Sequence, residues 1–218
     1  MTEDDLARLR MPQRLALTYA PRSTRAGFAA LFLLDATLAD IVRQAREPML
    51  AQLRLAWWRD RFDQDVADRP AGNPLLTALA DWAGEEAALR GLVDGWEQLL
   101  TDGPLTPNAM ADFATGRAEC FAALARLHGG AQDTVAAQAG RPWALVDLVS
   151  GLSDPHEREA ALALARLEEA PVRALPRAMR PLTVLAGLAH RALKRTDGAM
   201  LAGTGDMLAA MRLGLLGR

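Results

Sequence analysis

Two long helices in succession are predicted by residues 22 to 60, which read RSTRAGFAALFLLDATLADIVRQAREPMLAQLRLAWWRD. These two helices indicate the fold class. Ser23 or Thr24 can cap the first helix, which we expect to run to about Ala45. Proline is favoured at the first position of a helix, so Pro48 is expected to begin a second helix that ends near Ala67. The first helix carries an apolar stripe at helical spacing, formed by Phe28, Leu31, Leu38 and Val42.

An aspartate interrupts this apolar stripe. Asp35 lies four residues after Leu31 and three before Leu38, so it faces the expected core. A carboxylate in that position must be paired, hydrated or protonated. It either lines a functional cavity or pairs with an arginine where helices pack. Asp40 lies about 140° further around the helix, so the two carboxylates do not share a face.

The second helix carries two adjacent tryptophans. Leu50, Leu53 and Trp57 share one face at offsets of three and four, which predicts that Trp57 is buried. Trp58 lies beside that face, four residues after Arg54, whose guanidinium can stack on the indole. This segment is either an active-site helix or a core helix with a charged outer face.

The rest of the chain also predicts helices, because alanine, leucine and arginine dominate and no segment alternates apolar and polar residues as a strand does. The run from Arg69 to Pro74 predicts a loop. We expect one all-α domain over residues 1–218. The further helices are expected at Leu6–Tyr19, Leu75–Ala83, Glu85–Leu100, Pro107–His128, Gln132–Leu152, His156–Glu169, Met179–Arg195 and Asp206–Leu216.

Composition and motifs exclude several function classes. A formal net charge of −2 gives no attraction to nucleic acid, so no nucleic-acid partner is expected. The lone Cys120 excludes an internal disulfide, and His128, His156 and His190 lack the spacing of metal ligands. The sequence contains no glycine-rich phosphate loop, nucleophile elbow or plausible triad. No signal peptide and no apolar run of roughly 20 residues is present, so we expect a cytoplasmic protein.

Charge is concentrated toward the C-terminus. Residues 166–218 contain nine basic and four acidic residues, a net charge of +5, which leaves −7 on the preceding residues. The terminal segment adds an apolar stripe with Arg212 beside it. This combination fits attachment to an anionic membrane surface, and the alternative is that the stripe packs on the helical bundle. The stripe consists of Met207, Leu208, Met211, Leu215 and Leu216.

The segment ALTYAPRSTRAGFAALFLLDATLADIVRQAREPMLAQLRLAWWRD, residues 16 to 60, resembles the squalene/phytoene synthase family. The resembling features are Arg22 and Arg25 at the start of a long helix, a leucine-rich turn, acidic positions from Asp35 to Asp40, and the Arg-Leu-x-Trp-Trp-Arg run. A weaker likeness continues in GLVDGWEQLL, FATGRAECFAALARLHG and AGRPWALVDLVSGL. The resemblance implies an all-α isoprenoid-synthase-like bundle around a central cavity. Active members condense two prenyl diphosphates head to head, on magnesium ions held by two aspartate-rich helix motifs.

Both motifs are degraded in this chain. Where the first would read Asp-Asp-x-x-Asp, residues 39–43 read ADIVR, and where the second would read Asn-x-x-Arg-Asp, residues 147–151 read DLVSG. Two diphosphates bring several negative charges into a low-dielectric site, and one aspartate cannot replace two carboxylate motifs. The pattern is more similar to the non-catalytic branch of the family, which includes a complex I assembly factor.

Three functions follow as hypotheses. The first is a pseudoenzyme that binds an isoprenoid, another lipid or a protein partner, with an assembly role at a membrane or a respiratory complex. Its candidate ligand residues are Arg25, Asp35, Asp40, Arg54, Trp57 and Trp58. The second is an active prenyltransferase with an altered site, in which Mg²⁺ is held weakly by Asp35, Asp40, Asp60 and Asp63. The third is a helical scaffold that uses only its surface, which a fully packed interior would favour. No cofactor is expected unless the chain is active.

Overall fold

The computed structural model describes residues 3–45, 47–129, 132–168, 174–195 and 197–217. Within these residues the chain forms eleven α-helices, three short 3₁₀ helices and no strand, so the predicted all-α fold is confirmed. The α-helices are α1 Glu3–Ala7, α2 Met11–Thr18, α3 Arg22–Arg43, α4 Pro48–Phe62, α5 Pro74–Ala78, α6 Glu86–Glu97, α7 Pro107–Leu127, α8 Asp133–Val149, α9 Pro155–Leu167, α10 Arg180–Ala192 and α11 Thr204–Leu216. The 3₁₀ helices are Val66–Asp68, Ala80–Trp82 and Arg177–Met179.

The ends of α3 and α4 differ from the sequence-based prediction. Pro21 is the N-cap of α3 and no side chain caps it, so the predicted caps at Ser23 and Thr24 are wrong. Thr24 lies inside the first turn, where its hydroxyl donates to the carbonyl of Pro21 at 3.4 Å. Helix α4 begins at Pro48 as predicted but ends at Phe62, before the expected end near Ala67. Arg90 donates to the Phe62 carbonyl at 3.0 Å, which satisfies one of the terminal carbonyls.

Helix α7 lies between α6 and α8 because small residues allow close approach on both sides. A Cβ atom on Gly116 of α7 would collide with the carbonyl oxygen of Gly91 on α6. A Cβ atom on Gly140 of α8 would lie 3.1 Å from the Cα of Ala118 on α7. These contacts place the inner face of α7 at the centre of the bundle.

Aromatic side chains fill the interior around α7. The rings of Phe121 and Trp143 lie 5.3 Å apart, centroid to centroid, and the ring of Phe32 lies 6.5 Å from each of them. The void among these side chains and Asp35 has a volume of about 10 Å³. Such a void holds at most one water molecule, so the central cavity that the family resemblance implies is occupied by side chains.

Helix α11 packs on α10 and α2 through its small residues. Ala210 and Gly214 are buried, and Gly214 contacts the ring of Tyr19. Among the described residues, no helix combines the length and the apolar character that crossing a membrane requires.

Candidate functional site

Three charged side chains from three helices meet in the interior. Asp35 of α3 accepts two hydrogen bonds from Arg117 of α7, one from Nη2 at 2.5 Å and one from Nε at 3.0 Å. The same Nη2 lies 3.0 Å from Oδ2 of Asp147 on α8. Arg117 therefore joins two carboxylates that come from the two sequence regions where the family resemblance places its acid motifs.

Further side chains complete this polar cluster. The indole of Trp96 donates to Oδ1 of Asp35 at 2.9 Å, and the amide of Gln13 donates to Oδ2 at 3.3 Å. At the other end, Arg10 donates to the carboxylate of Asp147 at 3.3 Å and to its backbone carbonyl at 3.0 Å. Both carboxylates are thus held in hydrogen bonds, and Asp147 also borders a pocket of about 390 Å³ that Arg10 and Ser150 line.

The cluster is buried and has a cation at its centre. Asp35, Arg117 and Asp147 are 5%, 3% and 4% exposed. Burial alone would lower the pKa of the Arg117 guanidinium, but the charges of Asp35 and Asp147 outweigh it and raise the pKa above its usual value. The guanidinium also lies over the ring of Trp143 at 4.1 Å and that of Phe113 at 5.1 Å. Arg117 is therefore a fixed internal cation.

The structure does not bring the predicted ligand residues together. Asp35 is buried, as its place on the apolar stripe predicts, and it is paired with an arginine. Asp40 lies near the surface, where Arg8 and Arg43 pair with it at 3.1 and 2.6 Å. These two arginines lower the pKa of Asp40, although its partial burial acts in the opposite direction. Arg25 is exposed and donates to a backbone carbonyl at the end of α2.

The prediction that Trp57 is buried is wrong. Helix α4 turns a different face to the core, formed by Ala51, Leu55, Trp58 and Phe62. Trp57 is 37% exposed and belongs to an outward apolar surface, the α4 face, formed by Met49, Leu50, Leu53 and Trp57. Both faces of the helix are apolar, so helical spacing alone could not decide which one is buried.

The cation–π contact on α4 also differs from the prediction. The guanidinium of Arg61 lies 5.4 Å from the ring of Trp57, whereas Arg54 was expected to stack on Trp58. Arg54 is exposed, and Trp58 packs instead against Phe62, with 5.9 Å between ring centroids. The Trp-Trp pair therefore has one tryptophan in the core and one at the surface.

The carboxylates do not fit the magnesium sites that active members of the family use. Asp60 is exposed, and Asp63 pairs with Arg90 at 3.1 Å. Asp35 and Asp147 are neutralised by Arg117. Within the described ranges, no group of three or more His, Cys, Asp or Glu residues is placed to hold a metal ion. The residues present therefore do not fit a bound Mg²⁺ ion.

Arg117 and Asp147 are the important residues that sequence reasoning missed. Arg117 lies four residues after Phe113 and four before Phe121, so it interrupts the apolar stripe of α7. Asp147 lies four residues after Trp143 and interrupts the stripe of α8 in the same way. At Asp35, a charged residue inside an apolar stripe predicted a buried charge that needs a partner. Applying the same reasoning to α7 and α8 would have identified Arg117 and Asp147 as its partners in the cluster.

Comparison with known proteins identifies the family. The model of the squalene/phytoene synthase family matches residues 13–161, which is more than half of the 218 residues. The chain therefore belongs to the squalene/phytoene synthase family. Neither a curated protein nor a solved structure is significantly similar to it.

Proposed function

We propose that this chain is a non-catalytic member of the squalene/phytoene synthase family that binds its partners at its surface. The observation that carries the proposal is the position of Arg117, which joins Asp35 and Asp147 in the middle of the bundle. A synthase of this family needs carboxylates free to bind metal ions at that place. Here the chain supplies its own cation and leaves no carboxylate of the cluster free.

The available volume supports the same proposal. Pockets that bind small molecules have volumes of roughly 300–1,000 Å³, whereas the void beside Asp35 has about 10 Å³. An isoprenoid chain does not fit in it. The pockets of about 350–430 Å³ are each lined in part by exposed residues, so we assign binding of a lipid or a protein to the outside of the molecule.

The surface offers apolar residues for such binding. The α4 face is exposed, and a second surface, the α11 face, consists of Met207, Leu208, Met211, Leu215 and Leu216, each 46–67% exposed. The resemblance to the branch that includes a complex I assembly factor supports a role in assembly at a membrane, in which the chain binds a partner and does not convert a substrate. The cytoplasm, with attachment at a membrane surface, is the location we propose.

An assay of condensation tests the proposal. Purified protein is incubated with farnesyl or geranylgeranyl diphosphate and with Mg²⁺ or Mn²⁺, and the extracts are analysed for squalene-like and phytoene-like products. We expect no product above a boiled control.

Metal-dependent product from the unchanged protein would overturn the proposal. Asp35→Ala would then locate the activity, and Asp102→Ala serves as the control because that aspartate is exposed in the segment before α7 and is not among the candidate ligands. Product lost in the first variant and kept in the second would revive the active prenyltransferase.

A further inference from the structure

The C-terminal helix α11 presents a continuous apolar surface that the chain does not cover. Met207, Met211 and Leu215 recur every four residues, and Leu208 and Leu216 extend the same side. Their exposures range from 46% for Met207 to 67% for Leu215. The alternative that this stripe packs on the bundle is therefore wrong. An amphipathic helix normally turns such a stripe inward, so its outward position calls for an external partner.

Contacts on the opposite side fix this orientation. Ala210 and Gly214 face the bundle, and Leu213 contacts Gly187 of α10. Asp206 accepts hydrogen bonds from Arg191 at 3.0 Å and from Arg195 at 3.1 Å. The inward residues of α11 are either small, as Ala210 and Gly214 are, or held by hydrogen bonds, as Asp206 is. The helix is therefore oriented with its large apolar side chains outward.

Positive charge borders the α11 face. Arg212 is exposed and lies one residue after Met211, and Arg180 contacts Gly217 at the end of the helix. In the part of the chain that the structure describes, no carboxylate pairs with either arginine. Asp206, the one acidic residue of α11, is buried, and together with Asp197 it balances Arg191 and Arg195. Around the helix Arg212 lies between Leu208 and Leu216, so the face combines apolar side chains with cations that no described carboxylate neutralises.

The α4 face carries both signs of charge: Arg54 and Arg61 lie beside its apolar residues, but carboxylates lie there too. Asp60 lies three residues after Trp57 on the same outward side, and Glu47 precedes the helix. A carboxylate beside the apolar residues opposes contact with an anionic surface. Charge thus distinguishes the two apolar faces of the molecule.

We propose that α11 attaches the protein to an anionic membrane surface, with its five apolar side chains at the level of the acyl chains and Arg212 and Arg180 at the headgroup phosphates. This inference rests on the proposed function and extends it, because it names an anionic membrane as the partner of the α11 face. The helix lies in the plane of the interface, as amphipathic helices with apolar and basic sides do. Because α11 is already folded and held in place, binding does not require the helix to form.

Co-sedimentation of the full chain with vesicles tests this proposal. One set of vesicles contains phosphatidylcholine alone, and the other contains phosphatidylcholine with phosphatidylglycerol. We expect binding to the anionic vesicles that decreases as salt increases, because salt screens the arginines. Met211→Gln with Leu215→Gln is expected to weaken binding by roughly tenfold or more. Arg180→Ala with Arg212→Ala is expected to weaken binding to the anionic vesicles by roughly tenfold or more.

The α4 face provides matched controls. Leu50→Gln with Leu53→Gln removes two leucines of similar exposure, 55% and 62%, and Arg54→Ala removes one exposed arginine. Both controls should bind vesicles as the unchanged protein does, and circular dichroism verifies that each variant is folded.

Three results would overturn the membrane proposal. One is absence of sedimentation with anionic vesicles at low salt, and another is equal loss of binding in the α4 controls. The third is a dimer in light scattering that Met211→Gln with Leu215→Gln dissociates, because the α11 face would then be covered by a second copy. None of these results depends on condensation activity. The membrane proposal can therefore be rejected without rejecting the proposal that the chain is non-catalytic, and the reverse also holds.

Discussion

Asp35 and Asp147, which are 112 residues apart in the sequence, contact the same nitrogen atom of Arg117, at 2.5 and 3.0 Å. Two buried carboxylates this close would repel each other strongly without the cation between them. Their mutual placement depends on a side chain from a third helix. Arg117 and the two carboxylates therefore form one connected charged group in the interior of the bundle.

Removing the internal cation should destabilise the protein severely. Arg117→Met leaves Asp35 buried without a cation and Asp147 with Arg10 alone, and we expect the free energy of unfolding to fall by about 3–5 kcal/mol. Urea denaturation followed by far-UV circular dichroism measures the change. Arg126→Met is the matched control, because Arg126 pairs with Glu85 at 2.6 Å at the surface, and its loss should cost less than about 1 kcal/mol.

Removing the whole cluster should be tolerated better than removing its centre. Arg117→Met combined with Asp35→Leu and Asp147→Leu replaces all three charges by apolar groups, and we expect most of the lost stability to return. The same urea measurement applies. A triple variant less stable than Arg117→Met alone would show that the hydrogen bonds of Trp96 and Gln13 to Asp35 matter more than the buried charges.

The crossing of α6 and α7 offers a matched pair of glycine substitutions. In Gly116→Ala the new Cβ would collide with the Gly91 carbonyl, and we expect a loss of about 1–3 kcal/mol. In Gly91→Ala the new Cβ meets no atom of the described chain within 4 Å, and the higher helix propensity of alanine should stabilise the protein by up to about 1 kcal/mol. Thermal unfolding of the two variants should therefore shift in opposite directions.

The adjacent tryptophans should differ strongly in their contribution to stability. Trp58 is 6% exposed and packs in the core, so Trp58→Ala should cost about 3–5 kcal/mol. Trp57 is 37% exposed, and Trp57→Ala should cost about 1 kcal/mol through its contacts with Trp58 and Arg61. Chemical denaturation distinguishes the two variants, and equal losses would contradict the observed orientation of α4.

The packing of α11 on the rest of the bundle should persist down to acidic pH. Burial of Asp206 would raise its pKa, but hydrogen bonds from the Ala202 amide and from Arg195 and Arg191 lower the pKa to about 2. The unfolded value is about 3.9, so this carboxylate stabilises the fold fully above about pH 4 and loses its effect as the pH falls toward 2.

Comparison of the unchanged protein with Asp206→Asn tests this pH dependence. The difference between their melting temperatures should be constant from about pH 5 to 7 and should shrink as the pH falls from about 4 toward 2. Asp197→Asn is the control, because that aspartate is exposed and lies 3.9 Å from Arg195. A difference that disappears already near pH 6 would assign the effect to another group.

Local patterns predicted the helices well and the pairing of charges poorly. Pro48 and Pro107 begin their helices as expected, and the hydroxyl of Thr106, the N-cap before Pro107, accepts a hydrogen bond from the Ala109 amide at 3.2 Å. These features depend on residues within one turn of each other. The arginine that pairs with Asp35 lies 82 residues away, and no periodicity within one helix contains that information.

The two apolar faces of α4 show a second limit of sequence reasoning. Spacing identifies Leu50, Leu53 and Trp57 as one face, and Leu55 and Trp58 as part of another. Which face is buried depends on the helices that pack against α4, namely α3 and α6. A helix with apolar residues on most sides is not oriented by its own pattern.

The internal arginine also restricts how this chain could change over evolutionary time. An aspartate restored at Arg43 or at Gly151 would return one residue of a lost motif, but it would meet an interior in which Arg117 already neutralises the carboxylates. Replacing Arg117 first would leave Asp35 buried without a cation, and the protein would lose stability before it gained any activity. Either order of single changes passes through an unfavourable intermediate. With Arg117 in place, a magnesium site at this position of the bundle would require several simultaneous substitutions.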